Sequence, residues 1–307
     1  MTVIALPHEA TEDSASVWVG CDEPGPPDLV LHWTDENGND QPMPLQGEQR
    51  SAPVGDFHYW LIELKPLPAG PQEVTVTTTG GNHRASVVIQ PLPADLPAAG
   101  EDKFTVLVGS CFSRKGAAPN PPAIGQAIDA VVAAGHTPHM SVLCGDQVYV
   151  DDESGNPVRF TPDDYWPDLS QPYLDAWGFS GDPSIEAILR HGASWFTPDD
   201  HEWWNNFPEW APLVPTTYND CAAQPWAYVA RQLIAAFQPT ERRQFDAAGL
   251  SFYVADTRSV RTSVLTSQRQ LFDPAVLSDV QNWIAALATP GILVLAQPFF
   301  QDEAGTL

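Results

Sequence analysis

The stretch Pro91-Leu92-Pro93-Ala94-Asp95-Leu96-Pro97-Ala98-Ala99-Gly100 divides the chain into two parts with different hydrophobic patterns. Its prolines stiffen the backbone and remove N–H donors, and it is nearly uncharged, so it reads as a linker at a domain boundary. Before it, between Ser14 and Ile89, short runs rich in β-branched and aromatic residues recur: Leu29–Trp33, Tyr59–Leu64, Val74–Thr78 and Ser86–Ile89. Turn-formers such as Glu23-Pro24-Gly25-Pro26-Pro27 and Glu36-Asn37-Gly38-Asn39 separate them. That alternation predicts a small β-sandwich.

After the linker the period changes. Phe104–Val108 is a continuous apolar strand, and a helix follows in which Asn120 caps, Pro121 suits the first turn, and Ile124, Ala127, Ile128, Val131 and Val132 make one apolar face. Gly135 ends that helix, and Met140–Cys144 is a second apolar strand. A strand, helix, strand unit of this kind is a right-handed crossover between parallel strands, so the second part is α/β. Further strands are expected at Ala193–Phe196, Ser251–Ala255 and Ile292–Leu295, and helices over Ser184–His191, Cys221–Phe237 and Pro274–Leu287, without internal repeats. The expected organisation is a β-sandwich of fibronectin III or immunoglobulin-like form over 1–92, a linker over 93–102 and an α/β domain over 103–307, α+β as a whole.

With 307 residues, 43% of them hydrophobic and 11 of them Trp, the chain is long enough for two cores, and no apolar run approaches the roughly 18 residues of a membrane span. The N-terminus lacks the basic start and apolar stretch of an export signal, which makes the cytoplasm the default location. A signal removed beforehand would instead mean a periplasmic or secreted protein. Fourteen basic against 39 acidic residues give a formal charge of -25, which opposes nonspecific binding to nucleic acid or anionic membranes. A phosphate-bearing substrate must then be attracted locally, by bound metal ions or a well-placed Arg. Cys21, Cys111, Cys144 and Cys221 contain no CxxC pair, so neither a zinc knuckle nor a disulfide scaffold is indicated.

Ligands of open α/β sheets bind beyond the carboxyl ends of the parallel strands. Polar clusters follow the strands there: Gly109-Ser110-Cys111, Gly145-Asp146-Gln147-Val148-Tyr149, Asp199-Asp200-His201-Glu202-Trp203-Trp204-Asn205-Asn206 and Asp256-Thr257-Arg258. Thiolate, carboxylate and phenolate together suit ferric iron better than magnesium, and Cys111, Asp146 and Tyr149 supply them. Oxygens of Asp199 or Asp200 and of Asn206 suit a harder second ion such as calcium, with Asp146 bridging; other divalent ions also fit. Two adjacent ions clamp a phosphate and activate water. His201 can protonate the departing oxygen or stabilise its charge. Arg258 can pair with an Asp or hold substrate phosphate bidentately, and both readings stay open.

In order and content these clusters resemble the PhoD-like alkaline phosphatases and phosphodiesterases of the calcineurin-like metallophosphoesterase superfamily, from about Phe104 to Phe300. The Gly-Asp-x-x-Tyr segment at 145–149 is also similar to that of purple acid phosphatases, whose tyrosine binds ferric iron. The resemblance implies a β-sandwich ahead of a metallophosphoesterase core, iron (Fe3+) and calcium (Ca2+) as cofactors, and hydrolysis of phosphoric mono- or diesters of small molecules. It carries Cys111, Asp146 and Tyr149 over as iron ligands, and the Asp199/Asp200 pair with Asn206 as calcium ligands. The superfamily pattern ends in a Gly-Asp-x-His segment, and the sequence to Leu307 has none. The chain is therefore expected to be C-terminally truncated, with an incomplete site and impaired activity. The alternative is a non-catalytic binding protein of the same fold.

Other residues have plainer readings. Cys144, Cys21 and Cys221 suit small buried apolar positions. His136 and His139 flank a turn at the opposite sheet edge. His201-Glu202 is not a zinc protease motif, because Asn205 stands where its second His belongs. A Gly-x-Ser-x-Gly elbow is absent. Trp195, Phe196, Trp203, Trp204, Phe207 and Trp210 are expected to pack around the site rather than form a substrate platform.

Overall fold

The computed structural model describes residues 1–22, 28–35, 37–45, 57–79, 83–97, 103–112, 121–151, 157–181, 185–262 and 273–297. Strands β1 (Val3–Ala10), β2 (Ala15–Cys21) and β5 (His58–Leu64) form an antiparallel sheet in the order β1-β2-β5. A second antiparallel sheet has the order β4-β3-β6-β7, from β3 (Leu29–Thr34), β4 (Asp40–Pro44), β6 (Gln72–Thr78) and β7 (Arg84–Ile89). Pro42 and Pro44 lie in β4, at the sheet edge, where a missing N–H donor costs least. Every residue of β2 is buried, because alternate side chains meet different neighbours. Val17, Val19 and Cys21 share a cluster with Leu29, Leu31, Val74 and Val76. Trp18 belongs to another cluster, with Phe57 and Phe237.

The rest of the chain is mixed α/β. Strands β8 (Val106–Gly109), β9 (Met140–Cys144) and β10 (Ala193–Thr197) are parallel in the order β10-β9-β8. In a third set β12 (Leu250–Ala255) pairs antiparallel with β11 (Gln244–Ala247) and parallel with β13 (Gly291–Leu295). Parallel pairing sends the chain ends of β8, β9 and β10 to one edge, and Thr197 Oγ1 donates to Ala255 O at 3.2 Å, drawing the end of β12 to the same place. Behind that edge Trp195 stacks on Phe245 at 4.0 Å and Phe245 on Phe252 at 4.9 Å, tying β10 to β11 and β12. Such a stack adds directional preference to apolar burial.

Helix α1 (Pro121–Ala133) makes the crossover between β8 and β9; its expected cap, Asn120, lies outside the described residues. Helix α4 (Asp220–Phe237) begins on Asn219, whose side chain accepts from Cys221 N, and α5 (Pro274–Ala286) begins on Asp273 in the same way. The helix expected over Ser184–His191 is only one turn, α3 (Glu186–Leu189), and Ser184 lies outside the described residues. Strand β8 starts at Val106 rather than Phe104. Helix α2 (Pro162–Ala176) is unanticipated: Thr161 caps it, and Tyr165, Leu169, Tyr173 and Ala176 form its buried stripe. Contacts also join the strands before the proline-rich stretch to the elements after it. Trp18 Nε1 donates to Ala236 O at 2.7 Å, and the Glu9 carboxylate accepts the backbone N–H groups of Glu241 and Arg242. Among the described residues no helix is long and apolar enough to cross a membrane.

Candidate metal centre

The loops beyond β8, β9 and β10 hold unusual backbone conformations. Cys111, Asp146 and Asn206 have φ of 61°, 56° and 65°, and Ala248 is the one other non-glycine described residue with positive φ. Asp and Asn tolerate this left-handed region better than Cys does, and such residues concentrate where function fixes a turn. Cys111 N donates to Gly145 O at 3.2 Å and Phe112 N to Asp146 O at 2.7 Å, which stitches the first two loops together. Gly145, at φ 87°, lies so close to the third loop that an added Cβ would sit 2.5 Å from Asp199 Cβ.

These turns bring one carboxylate oxygen each from Asp146, Asp199 and Asp200 within 4.8 Å of one another. Asp146 is 7% exposed, and burial pushes its carboxyl up, opposed by the charge of His201 and reinforced by that of Asp200. Asp199 is pushed up to about 6, again by burial first, against the pull of Arg258. Arg258 is 4% exposed. It meets Asp199 Oδ1 through Nε and Nη2 at 2.6 and 2.5 Å, reaches Asp200 Oδ1 at 3.5 Å, and donates from Nη1 to Phe207 O at 2.5 Å. One guanidinium does not neutralise three clustered carboxylates, and a bound cation would relieve the remaining repulsion.

On the other side of Asp146, Cys111 Sγ lies 3.5 Å from Oδ2, and the Tyr149 phenol feels the charges of both Asp146 and Cys111. Burial pushes the Cys111 thiol up, and pushes the Tyr149 phenol far above its ordinary range with help from the Asp146 charge. Both groups become good ligands only beside a cation. The three clustered carboxylates could hold a metal ion, with the Cys111 thiol and Tyr149 phenol on the far side of Asp146. Asn206 is exposed, and its backbone N–H donates to Asp200 Oδ2.

His201 stacks on Tyr149 with ring centroids 4.1 Å apart, and its Nδ1 is 2.8 Å from Asp151 Oδ1. Burial lowers its pKa, but the bond to Asp151 and the charges of Asp151, Asp146 and Asp200 outweigh that and raise it to about 9. In the metal-free protein these carboxylates favour the protonated ring. Asp151 Oδ2 also accepts Asn205 N at 2.6 Å, so this carboxylate fixes both the ring and the loop that carries it.

No family model matches the chain, and no curated protein does. Among solved structures it is similar to chitinase ChiW from Paenibacillus sp. str. FPU-7 at 11% identity and TM-score 0.22, over 77% of this chain and 19% of that one. A cyclomaltodextrinase is similar at 10% identity and TM-score 0.20, over 63% of this chain and 39% of that one. The chain therefore spans well under half the length of either protein, and overlaps this loose carry no argument about fold or activity.

Cys111, Asp146, Tyr149, Asp199, Asp200, His201 and Arg258 all gather at one sheet edge. Glu202 has no role assignable from spacing alone, yet it organises that edge. Its carboxylate is 0% exposed and accepts Asp146 N at 3.0 Å, Gln147 N at 2.6 Å, Asp199 N at 2.9 Å and Gln238 Nε2 at 3.2 Å. Asp151 was equally hidden, since its only sequence signal is its place two residues after Tyr149. Cys221 differs from its expected burial and lies exposed in the first turn of α4, whereas Cys21 is fully buried and Cys144 is intermediate. His139 lies at the opposite sheet edge, where its Nδ1 accepts Thr105 N at 3.1 Å. Of the site aromatics, Trp195, Phe196, Trp203, Trp204 and Phe207 are packed inside, but Trp210 is 53% exposed against Tyr218.

Proposed function

We propose that this chain is a metal-dependent phosphoric ester hydrolase of the PhoD-like type, with a β-sandwich over 1–92, a linker over 93–102 and a metallophosphoesterase-type core over 103–307. The observation that carries the reading is the meeting of Asp146, Asp199 and Asp200 oxygens within 4.8 Å beside Cys111, Tyr149 and His201. Cys111, Asp146 and Tyr149 would hold ferric iron, and Asp146 with Asp199 or Asp200 and Asn206 would hold calcium. Such ions, when bound, polarise the phosphoryl group and make water acidic enough to attack at neutral pH. The side chains do the rest. His201 offers its remaining ring N–H to the departing ester oxygen, because Asp151 occupies Nδ1. Arg258 holds Asp199 and Asp200 in place, and Glu202 fixes the backbone on which Asp146 and Asp199 sit.

The test is hydrolysis of p-nitrophenyl phosphate and bis(p-nitrophenyl) phosphate by protein loaded with iron and calcium, before and after chelation. Turnover should vanish with chelator and fall at least about 100-fold in Asp146→Asn, as loss of a shared ligand predicts. The iron-loaded protein should also be coloured, since phenolate and thiolate ligands give ferric iron visible absorption. Metal-loaded protein that hydrolyses neither ester removes the reading and favours a binding protein.

A further inference from the structure

Arg258 is engaged within the protein: its three nitrogens meet Asp199, Asp200 and Phe207 O, and its side chain is 5% exposed. A phosphate could be held by Arg258 only at the expense of those bonds. A second guanidinium stands close by. Arg258 O accepts Arg261 N at 3.0 Å, a turn that keeps Arg261 at the same edge. Arg261 is half-buried, and its Nη1 donates to Gln297 Oε1 at 2.9 Å, just beyond β13. The charges it feels are those of Arg258, Asp199, Glu209 and Asp200. None of these carboxylates lies within ion-pair distance, and Arg261 forms no ion pair among the described residues.

An arginine has five N–H donors, and in Arg261 one is fixed by Gln297. In a chain of formal charge -25, a cation beside three carboxylates that nevertheless pairs with none of them is unusual. Its planar fork matches two oxygens of a phosphoryl group, a geometry lysine lacks. We propose that Arg261 grips the phosphoryl oxygens of the substrate, while Arg258 serves the carboxylates. This rests on the phosphoesterase reading above and adds to it the residue that recognises the anion. Gln297 is then a positioning residue, which aims the fork from the end of β13.

Inorganic phosphate is the probe, titrated calorimetrically into the full metal-loaded chain, alongside steady-state hydrolysis of p-nitrophenyl phosphate. Arg261→Gln should weaken phosphate binding and raise KM by about tenfold or more, with a smaller change in kcat, as loss of a charge-assisted pair predicts. Arg261→Lys, which keeps the charge without the fork, should fall between. Arg84→Gln, far away on β7, should change neither. Parent-like phosphate affinity in Arg261→Gln overturns the assignment even where the parent turns over ester, and so does parent-like affinity in Arg261→Lys should the Gln variant fail to fold. A parent that hydrolyses no ester, but whose phosphate binding is lost in Arg261→Gln, overturns the phosphoesterase reading and supports the anion contact.

Discussion

Replacing Glu202 by Gln changes one atom and should cost far more than its size suggests. In the parent, Oε2 accepts Asp146 N and Asp199 N at 3.0 and 2.9 Å, and Oε1 accepts Gln147 N and Gln238 Nε2 at 2.6 and 3.2 Å. A glutamine amide has one oxygen, so its NH2 faces either Asp146 N and Asp199 N, or Gln147 N and Gln238 Nε2, and of these four donors Gln238 Nε2 keeps a second acceptor in Gln147 Oε1 at 2.9 Å. Each buried donor left unsatisfied costs about 1–3 kcal/mol. Against that stands a gain, because the amide avoids burying a charge whose carboxyl is pushed up to about 7 by burial first and by Asp146 second. The cheaper orientation leaves Gln147 N unsatisfied, so the net should be a loss of about 1–2 kcal/mol at pH 7.5, or roughly 2–5 °C in Tm. Urea unfolding followed by Trp fluorescence, with Glu209→Gln as control, measures it. The loss should shrink at pH 5, where Glu202 in the parent is itself protonated and carries the same defect. A Glu202→Gln protein within about 0.5 kcal/mol of the parent at pH 7.5 would refute the claim that this carboxylate holds the two loops together.

Other perturbations follow from the same geometry. Gly145→Ala sets a Cβ 2.5 Å from Asp199 Cβ at φ 87°, so it should lower Tm and weaken metal binding together, readable by calorimetric titration. The metal-free protein should lose stability as pH rises. Asp199, Glu202 and His201 are raised to about 6, about 7 and about 9 from 3.8, 4.5 and 6.5, so the folded state binds more protons than the unfolded one between about pH 4 and 9. Urea midpoints that climb from pH 5 to 9 would contradict that sign. Adding metal at 100 times its Kd should restore about 2.7 kcal/mol, measured as a Tm shift that Asp146→Asn abolishes. Trp195→Ala should cost about 3–5 kcal/mol in equilibrium unfolding, because it empties the stack on Phe245 and also removes the donor to Arg242 O.

The strands and helices that read well were those whose pattern owed little to distant residues. Strand β9 matches its expected span, and α4 and β12 each begin one residue early, because a continuous apolar run or a strong cap announces them. Helix α2 was illegible for a local reason: Pro167 and Pro172 inside it argue for a break, and only the spacing of Tyr165, Leu169 and Tyr173 argues against. Strand β4 is polar and edge-bound, so periodicity hardly marks it. At the site, residue types pointed to Cys111, Asp146, Tyr149 and the Asp199-Asp200 pair, since each follows a strand. Spacing could not assign Glu202, whose partners lie up to 56 positions away, nor tell Arg258 from Arg261. Those distinctions depend on which groups the tertiary fold leaves unpaired.

The left-handed turns at Cys111, Asp146 and Asn206 also bear on how such a site can diverge. Where torsion angles set the direction of a donor, neighbouring side chains can change freely, while these positions accept few residue types. Asp146→Asn should keep its turn and Asp146→Val should lose it, separating backbone tolerance from ligand chemistry. Chains too distant for sequence comparison could then be recognised by non-glycine residues of positive φ just beyond two neighbouring parallel strands, with a third in the loop after the next strand.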